Sequence, residues 1–395
     1  MNTKVEIKPS EKLLKLPKYI FAELDEWKEE ARAKGQDLID LGIGNPDGAT
    51  PYTIVDAAVE SVRRPESHGY PSFRGKKEFR NAISQWMKKR YNVDIDPDTE
   101  IQTLSGAKEG LAMTALAYTN PGDINIVPDP YYPVLSRGTW VASGEILHLP
   151  LTPENNFLPD LDSIPEDVAR RAKLFFVNYP NNPTGAMATK EFFEKLIKFC
   201  TKYNILLVSD LAYAEICYGG RRPISIFELE GAKDIAVEFH SFSKTFNMAG
   251  WRIGFVVGKK EYIDTIHNMK TNFDYGTSNL VQDAAVKALT MDFSNADHVR
   301  MNYERRSNFV AQRLQALGWD AKPLQATMYF WLKVPNGYDS KTFCRMVLDK
   351  TGVVLTPGIA FGTHSDKFFR LSIVQPDARL HEAFDRLAAA GIRFV

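Results

Sequence analysis

The sequence predicts an α/β protein, with a large domain built on a mostly parallel sheet covered by helices and a smaller α+β domain beside it. Three observations predict this. Short apolar runs recur without alternation, as in strands covered on both faces. Stretches with apolar residues at helical spacing lie between them. The last hundred residues change character, with strand-like runs flanked by helical patterns.

In chain order, strands are expected at 101–104, 124–127, 173–178, 205–209, 235–239 and 253–257. Phe79, Ile83, Met87 and Tyr91 mark the apolar stripe of one helix, and Phe192, Leu196 and Cys200 that of another. Alternation of strands and helices implies right-handed crossovers in a parallel sheet. A long helical stretch is expected at 278–317, followed by strands at 329–332, 353–355 and 369–373. A final helix carries Leu380, Phe384 and Leu387. The expected division is 1–49 as an N-terminal arm and part of the small domain, 50–285 as the large domain, and 286–395 as the small C-terminal domain.

Composition narrows the function. The 395 residues carry 49 Lys and Arg against 49 Asp and Glu, so no excess of cations exists to neutralise a nucleic-acid backbone. The basic residues Arg74, Lys76, Lys77, Lys88, Lys89 and Arg90 read as the solvated face of a helix. A local pocket for one small phosphate stays compatible with zero net charge. Cys200, Cys217 and Cys344 are odd in number and far apart, which suits a reducing compartment and no disulfide framework. The seven histidines form no metal-binding pair, so no metal is expected. The first eight residues lack the apolar core of a signal peptide, and no apolar run reaches the ~18 residues of a membrane span. A cytoplasmic protein is expected.

The segment 241–254 carries the sharpest chemistry. Lys244 sits in a hydroxyl-rich turn after a buried strand, and Arg252 follows eight residues on, between glycines. A lysine can bond an aldehyde when its amine is neutral, although a surface lysine beside a structural arginine would look the same. Asn181-Asn182-Pro183-Thr184-Gly185 follows another strand and is by itself turn chemistry. Asp210 ends a third strand, where an aspartate can also cap a helix. All three clusters lie at strand carboxyl ends, where ligands bind in open α/β sheets. Ser105-Gly106-Ala107-Lys108 adds a turn that opens a helix, with backbone N–H groups free to face an anion.

On these residues the chain resembles the class I/II aminotransferases, pyridoxal-phosphate enzymes of fold type I, from about Tyr19 to the last helix. The resemblance implies pyridoxal 5'-phosphate as cofactor and a role for each residue. Lys244 resembles the lysine that holds the cofactor aldehyde and shuttles a proton. Asp210 resembles the carboxylate paired with the pyridinium nitrogen, and Tyr213 and Asn182 the donors to the phenolate oxygen. Gly106, Ala107, Lys108, Ser241, Ser243 and Arg252 match the phosphate cradle. Tyr70 matches a tyrosine reaching the phosphate from the partner subunit, which implies a homodimer with shared active sites. Tyr132 matches the aromatic stacked on the ring, with Tyr131 as the competing choice. Arg370 matches the arginine that grips the substrate α-carboxylate, joined by Asn182, Gly44, Tyr19 and Lys108 around the substrate.

The resemblance implies transfer of the amino group of an L-amino acid to a 2-oxo acid such as 2-oxoglutarate or pyruvate. A lyase on the same fold, or a non-catalytic cofactor-binding regulator, would share these residues. The region 272–277 lacks the second arginine of enzymes dedicated to dicarboxylic amino acids. Segments 44–51 and 247–252 resemble bacterial glutamate–pyruvate (alanine) aminotransferases. Segments 157–161 and 167–173 resemble bacterial LL-diaminopimelate aminotransferases.

Overall fold

The computed structural model describes residues 7–394 except 15 and 18, so most of the segment tested for a signal core lies outside the described residues. A seven-stranded sheet forms the centre: β1 (Ile101–Leu104), β2 (Ile124–Asp129), β3 (Glu145–Pro150), β4 (Ala172–Asn178), β5 (Leu206–Asp210), β6 (Ala236–Ser241) and β7 (Gly254–Gly258). Their order is β1-β7-β6-β5-β4-β2-β3. Every neighbouring pair is parallel except those of β7, which runs antiparallel to both β1 and β6. Every residue of β1, β2, β5 and β7 is buried, which is why these strands read as unbroken apolar runs. The sequence reading missed β3. It is a half-exposed edge strand with only Leu149 buried, and so has no such run.

Helices Lys77–Tyr91 and Lys190–Tyr203 form where expected and bury the stripes that predicted them. The single helix expected at 278–317 is two, Asn279–Thr290 and Ser294–Ala316. Between them Asp292 Oδ1 accepts the Ser294 N–H at 3.1 Å, a local turn that competes with helical bonding. The helices also serve different cores. Ala284, Ala285, Ala288 and Leu289 pack with Phe79 and Ile83, whereas Tyr303, Val310 and Leu314 pack with Trp319 and Phe369.

The second core belongs to the C-terminal body. Its sheet is β8 (Tyr329–Lys333), β9 (Thr356–Pro357) and β10 (Phe368–Ser372), antiparallel in the order β9-β10-β8. Helices Ser340–Thr351 and Asp377–Ala389 contribute Phe343, Val347, Leu380 and Phe384 to that core. Ile39–Asp40 pairs in parallel with Val353–Val354, so the N-terminal segment joins this body. No described helix is long and apolar enough to cross a membrane.

The topology sets up one rim. β1, β4, β5 and β6 end there at Leu104, Asn178, Asp210 and Ser241. Because β7 runs the other way, Arg252 just before it lies on the same rim.

Candidate active site

A cavity of about 370 Å³ opens on this rim and is closed on the other side by the C-terminal body through Tyr329 and Arg370. After β6, Ser241 Oγ accepts the Ser243 N–H at 3.2 Å and starts the short helix Phe242–Thr245, which carries Lys244 into the cavity. Among the described residues, the Lys244 amine has one hydrogen-bond partner, the Gly44 carbonyl at 2.5 Å. Burial lowers its pKa, and the positive Arg370 and Arg252 lower it further. Both effects favour a neutral, nucleophilic amine.

Asp210 is 4% exposed, and among the described residues its carboxylate accepts only the Ala212 N–H, at 3.1 Å. Burial without a cation pushes its pKa up to about 7. Asn178 fastens this strand end to the next turn, donating to the Asp210 carbonyl at 3.0 Å and accepting from the Asn182 N–H at 2.8 Å. The Tyr213 and Tyr329 hydroxyls are hydrogen-bonded at 3.0 Å. Burial raises the Tyr213 pKa, so its hydroxyl stays protonated.

Arg370 is 3% exposed. It donates to Asn182 Oδ1 at 2.8 Å and to the Gly42 carbonyl at 2.7 Å, while its Nε is buried without a partner. The Tyr329 and Phe361 rings flank the guanidinium at 4.2 and 4.8 Å. No carboxylate among the described residues bonds to it.

The anion corner lies at the N-terminus of helix Ala107–Tyr118. Gly106 has φ +88°, and a Cβ there would lie 2.4 Å from Arg252 Nη2, so only glycine lets the guanidinium close on the turn. Arg252 itself sits at φ +54°, a left-handed conformation that costs energy in a non-glycine residue. Its Nη1 donates to the Ala249 carbonyl at 2.8 Å and its Nη2 to that of Ser105 at 3.4 Å. Ala107, Lys108, Ser241 and Ser243 line this end of the cavity.

Tyr19 immediately precedes helix Ile20–Ala33, and its ring takes Lys108 at 5.4 Å and Arg137 at 4.9 Å. Gly44 approaches so closely that a Cβ would lie 2.0 Å from Tyr329 Oη. Tyr132 lines the cavity, whereas Tyr131 turns away to stack on His148 at 5.2 Å. Of the residues expected from sequence, two do not line the cavity. Gly106 lies beneath Arg252. Tyr70 is 82% exposed on the outer surface, stacked on Tyr275 at 4.5 Å. Sequence reasoning missed Asn178 and Tyr329. Each ends or begins a strand already recognised, and a polar residue at a strand end was the available signal.

The class I and II aminotransferase family model matches residues 36–387. The chain belongs to that family. This aminotransferase is 48% identical to the LL-diaminopimelate aminotransferase of Aquifex aeolicus over 378 residues, 96% of this chain and 98% of the relative. It is 46% identical to LL-diaminopimelate aminotransferase 2 of Nostoc sp. over 386 residues, 98% of this chain and 99% of the relative. Substrate-bound BacF from Bacillus subtilis superposes with a TM-score of 0.95 at 37% identity, covering 99% of each chain. The cofactor of this aminotransferase is pyridoxal 5'-phosphate.

The residues fit that cofactor. A desolvated amine suits the aldehyde, and a buried carboxyl lacking a cation suits the ring nitrogen. A glycine turn closed by an arginine suits the phosphate dianion.

Proposed function

We propose that this aminotransferase takes LL-2,6-diaminopimelate as amino donor and passes the amino group to a 2-oxo acid such as 2-oxoglutarate, in two half-reactions. Identity of 48% and 46% to LL-diaminopimelate aminotransferases, over nearly the whole of both chains, carries the choice of donor. The convergence of Lys244, Asp210 and Arg370 on one cavity supports the chemistry.

When bound, the cofactor supplies an aldehyde that takes the amino group and an electron-poor ring that draws density from the substrate Cα. The chain supplies the rest. Arg370 binds the α-carboxylate with its unpartnered Nε and spare N–H groups, helped by Asn182. That contact orients the Cα–H bond toward Lys244. Lys244 Nζ, kept neutral by burial, would take the proton from Cα and deliver it to the cofactor carbon that receives the amino group. Asp210 in its ionised form holds the ring nitrogen protonated. Tyr213 and Asn182 would hold the phenolate oxygen, and Tyr132 would pack against the ring. Gly106, Ala107, Lys108, Ser241, Ser243 and Arg252 hold the phosphate. Tyr19, Gly44 and Lys108 bound the substrate end of the cavity.

The exposed stack of Tyr70, Phe73 and Tyr275 supports a homodimer in which Tyr70 reaches the partner's phosphate corner. The apolar cores support a large and a small body, but the changeover falls later than the expected boundary at 285/286, inside the long helix, where Ala296 packs with the first core and Tyr303 with the second. Three buried free cysteines suit the cytoplasm.

The test is spectroscopic. The purified protein is titrated separately with LL-diaminopimelate, glutamate, alanine and aspartate while the visible band of the bound cofactor is followed. LL-diaminopimelate should convert it at the lowest concentration. Conversion at lower concentration by another donor removes this assignment of substrate, and no conversion by any donor removes the mechanism.

A further inference from the structure

Lys270 is 0% exposed, and no step above uses it. It stands near the end of helix Lys260–Thr271, and its ammonium meets two carboxylates. These are Glu109 Oε1 at 2.5 Å and both oxygens of Asp274 at 2.8 Å. Burying an ammonium costs several kcal/mol unless paired, so these contacts are what permit it there.

Each carboxylate also holds a backbone N–H of a different turn. Glu109 Oε2 accepts the Ser105 N–H at 2.5 Å, and Asp274 Oδ1 accepts that of Gly276 at 2.6 Å. The turns meet where the Ser105 and Thr277 hydroxyls lie 3.5 Å apart. Buried Gln282 holds the second turn from behind, donating to the Thr277 carbonyl at 2.6 Å. The first turn is the anion corner itself, since the Ser105 carbonyl accepts from Arg252 and Gly106 lies under that guanidinium. A chain of contacts thus runs from Lys270 through Glu109 and Ser105 to Arg252.

We infer that Lys270 is a positioning residue for the cofactor phosphate: through Glu109 and Asp274 it locks the 105–108 and 274–277 turns, so that the helix N–H groups and Arg252 face the dianion. The inference rests on the reading of this corner as the phosphate cradle. Lys270 itself touches neither cofactor nor substrate. A buried ion pair serving only the core would affect every ligand of the cavity alike. A lock on the phosphate corner acts only on ligands that carry a phosphate.

The full chain, stripped of cofactor, is titrated with pyridoxal 5'-phosphate and with pyridoxal, which lacks the phosphate, and the two dissociation constants are compared. Lys270→Met should weaken the phosphorylated ligand about tenfold and leave pyridoxal unchanged, as for loss of a charge-assisted contact. Asp274→Asn cuts one arm at a less buried position. It should weaken the phosphorylated ligand about threefold, and it decides the matter if Lys270→Met does not fold. Equal weakening of both ligands, or of neither, overturns the inference. Arg252→Met is the control for the reading beneath it. If it lowers the preference for the phosphorylated ligand while the Lys270 and Asp274 variants do not, the inference alone falls. If it too leaves the preference unchanged, the phosphate reading falls and takes the inference with it.

Discussion

Two buried arginines on the C-terminal side of the molecule have opposite surroundings. Arg306, in the long helix Ser294–Ala316, has a side chain 7% exposed and every nitrogen engaged. Two bonds of 2.8 Å go to Asp47, one of 3.0 Å to Asp377 and one of 3.3 Å to the Ile373 carbonyl. Arg370, in β10, bonds among the described residues only to neutral oxygens and leaves its Nε bare. The same side chain, equally buried, is neutralised in one place and left as net charge in the other. Lys244 and Asp210 belong with Arg370. One is a buried base with a single carbonyl partner, the other a buried acid with a single backbone donor. Paired charge of this kind builds scaffold, and unpaired buried charge marks where a ligand completes the balance.

The contrast can be broken in four ways. The largest effect is expected at Lys244. Lys244→Ala should lower kcat for both half-reactions by at least about 10³-fold, because the base at Cα is lost. Single-turnover rates measure this, and a rate within tenfold of the unaltered enzyme would remove Lys244 from the chemistry. Arg370→Lys comes next. A point charge cannot reproduce the planar fork, so kcat/KM should fall about 10²-fold while the melting temperature barely moves.

Arg306→Met should show the reverse. Stability to denaturant should fall by about 2 kcal/mol, discounted from a fully buried pair because Asp377 is partly exposed. The kcat/KM of the folded fraction should stay as it was. If Arg306→Met were silent in denaturation, or Arg370→Lys silent in kinetics, the distinction between the two sites would collapse.

The smallest effect concerns pH. The Asp210 pKa in the folded chain, about 7, stands above the ordinary carboxylate value of about 3.9. A raised acid binds its proton more tightly folded than unfolded, so stability falls as pH rises between the two values. The protein stripped of cofactor should therefore lose about 1 kcal/mol between pH 6 and pH 8 through this group. Asp210→Asn should flatten that part of the profile. Thermal melts at both pH values, with and without the substitution, give the comparison.

Much of the fold was legible in sequence because its signals are local. The β1, β2, β4, β5, β6 and β7 runs are apolar because the strands are covered on both faces, whereas edge strand β3 lacks that signal. The long helical pattern hid the break at Asp292, since both helices carry apolar stripes and only their partners differ. In the site, Lys244, Asp210 and Arg252 stood out because each sits in a polar turn against a buried strand. Tyr329 did not, because nothing near it in sequence shows that Tyr213, Gly44 and Arg370 surround its ring.

The order of amino acids was thus enough to establish the alternation of strands and helices, the rim where the strands end, and the polar turns on it. These are matters of spacing, turn chemistry and burial within a few residues. The contacts between distant segments emerged only in three dimensions. Tyr132 rather than Tyr131 enters the cavity, the Gly44 carbonyl meets Lys244, and Arg306 finds carboxylates while Arg370 finds none. Each depends on groups brought together by packing across many residues. Whether a buried charge is scaffold or site depends on its neighbours, and the fold supplies the neighbours.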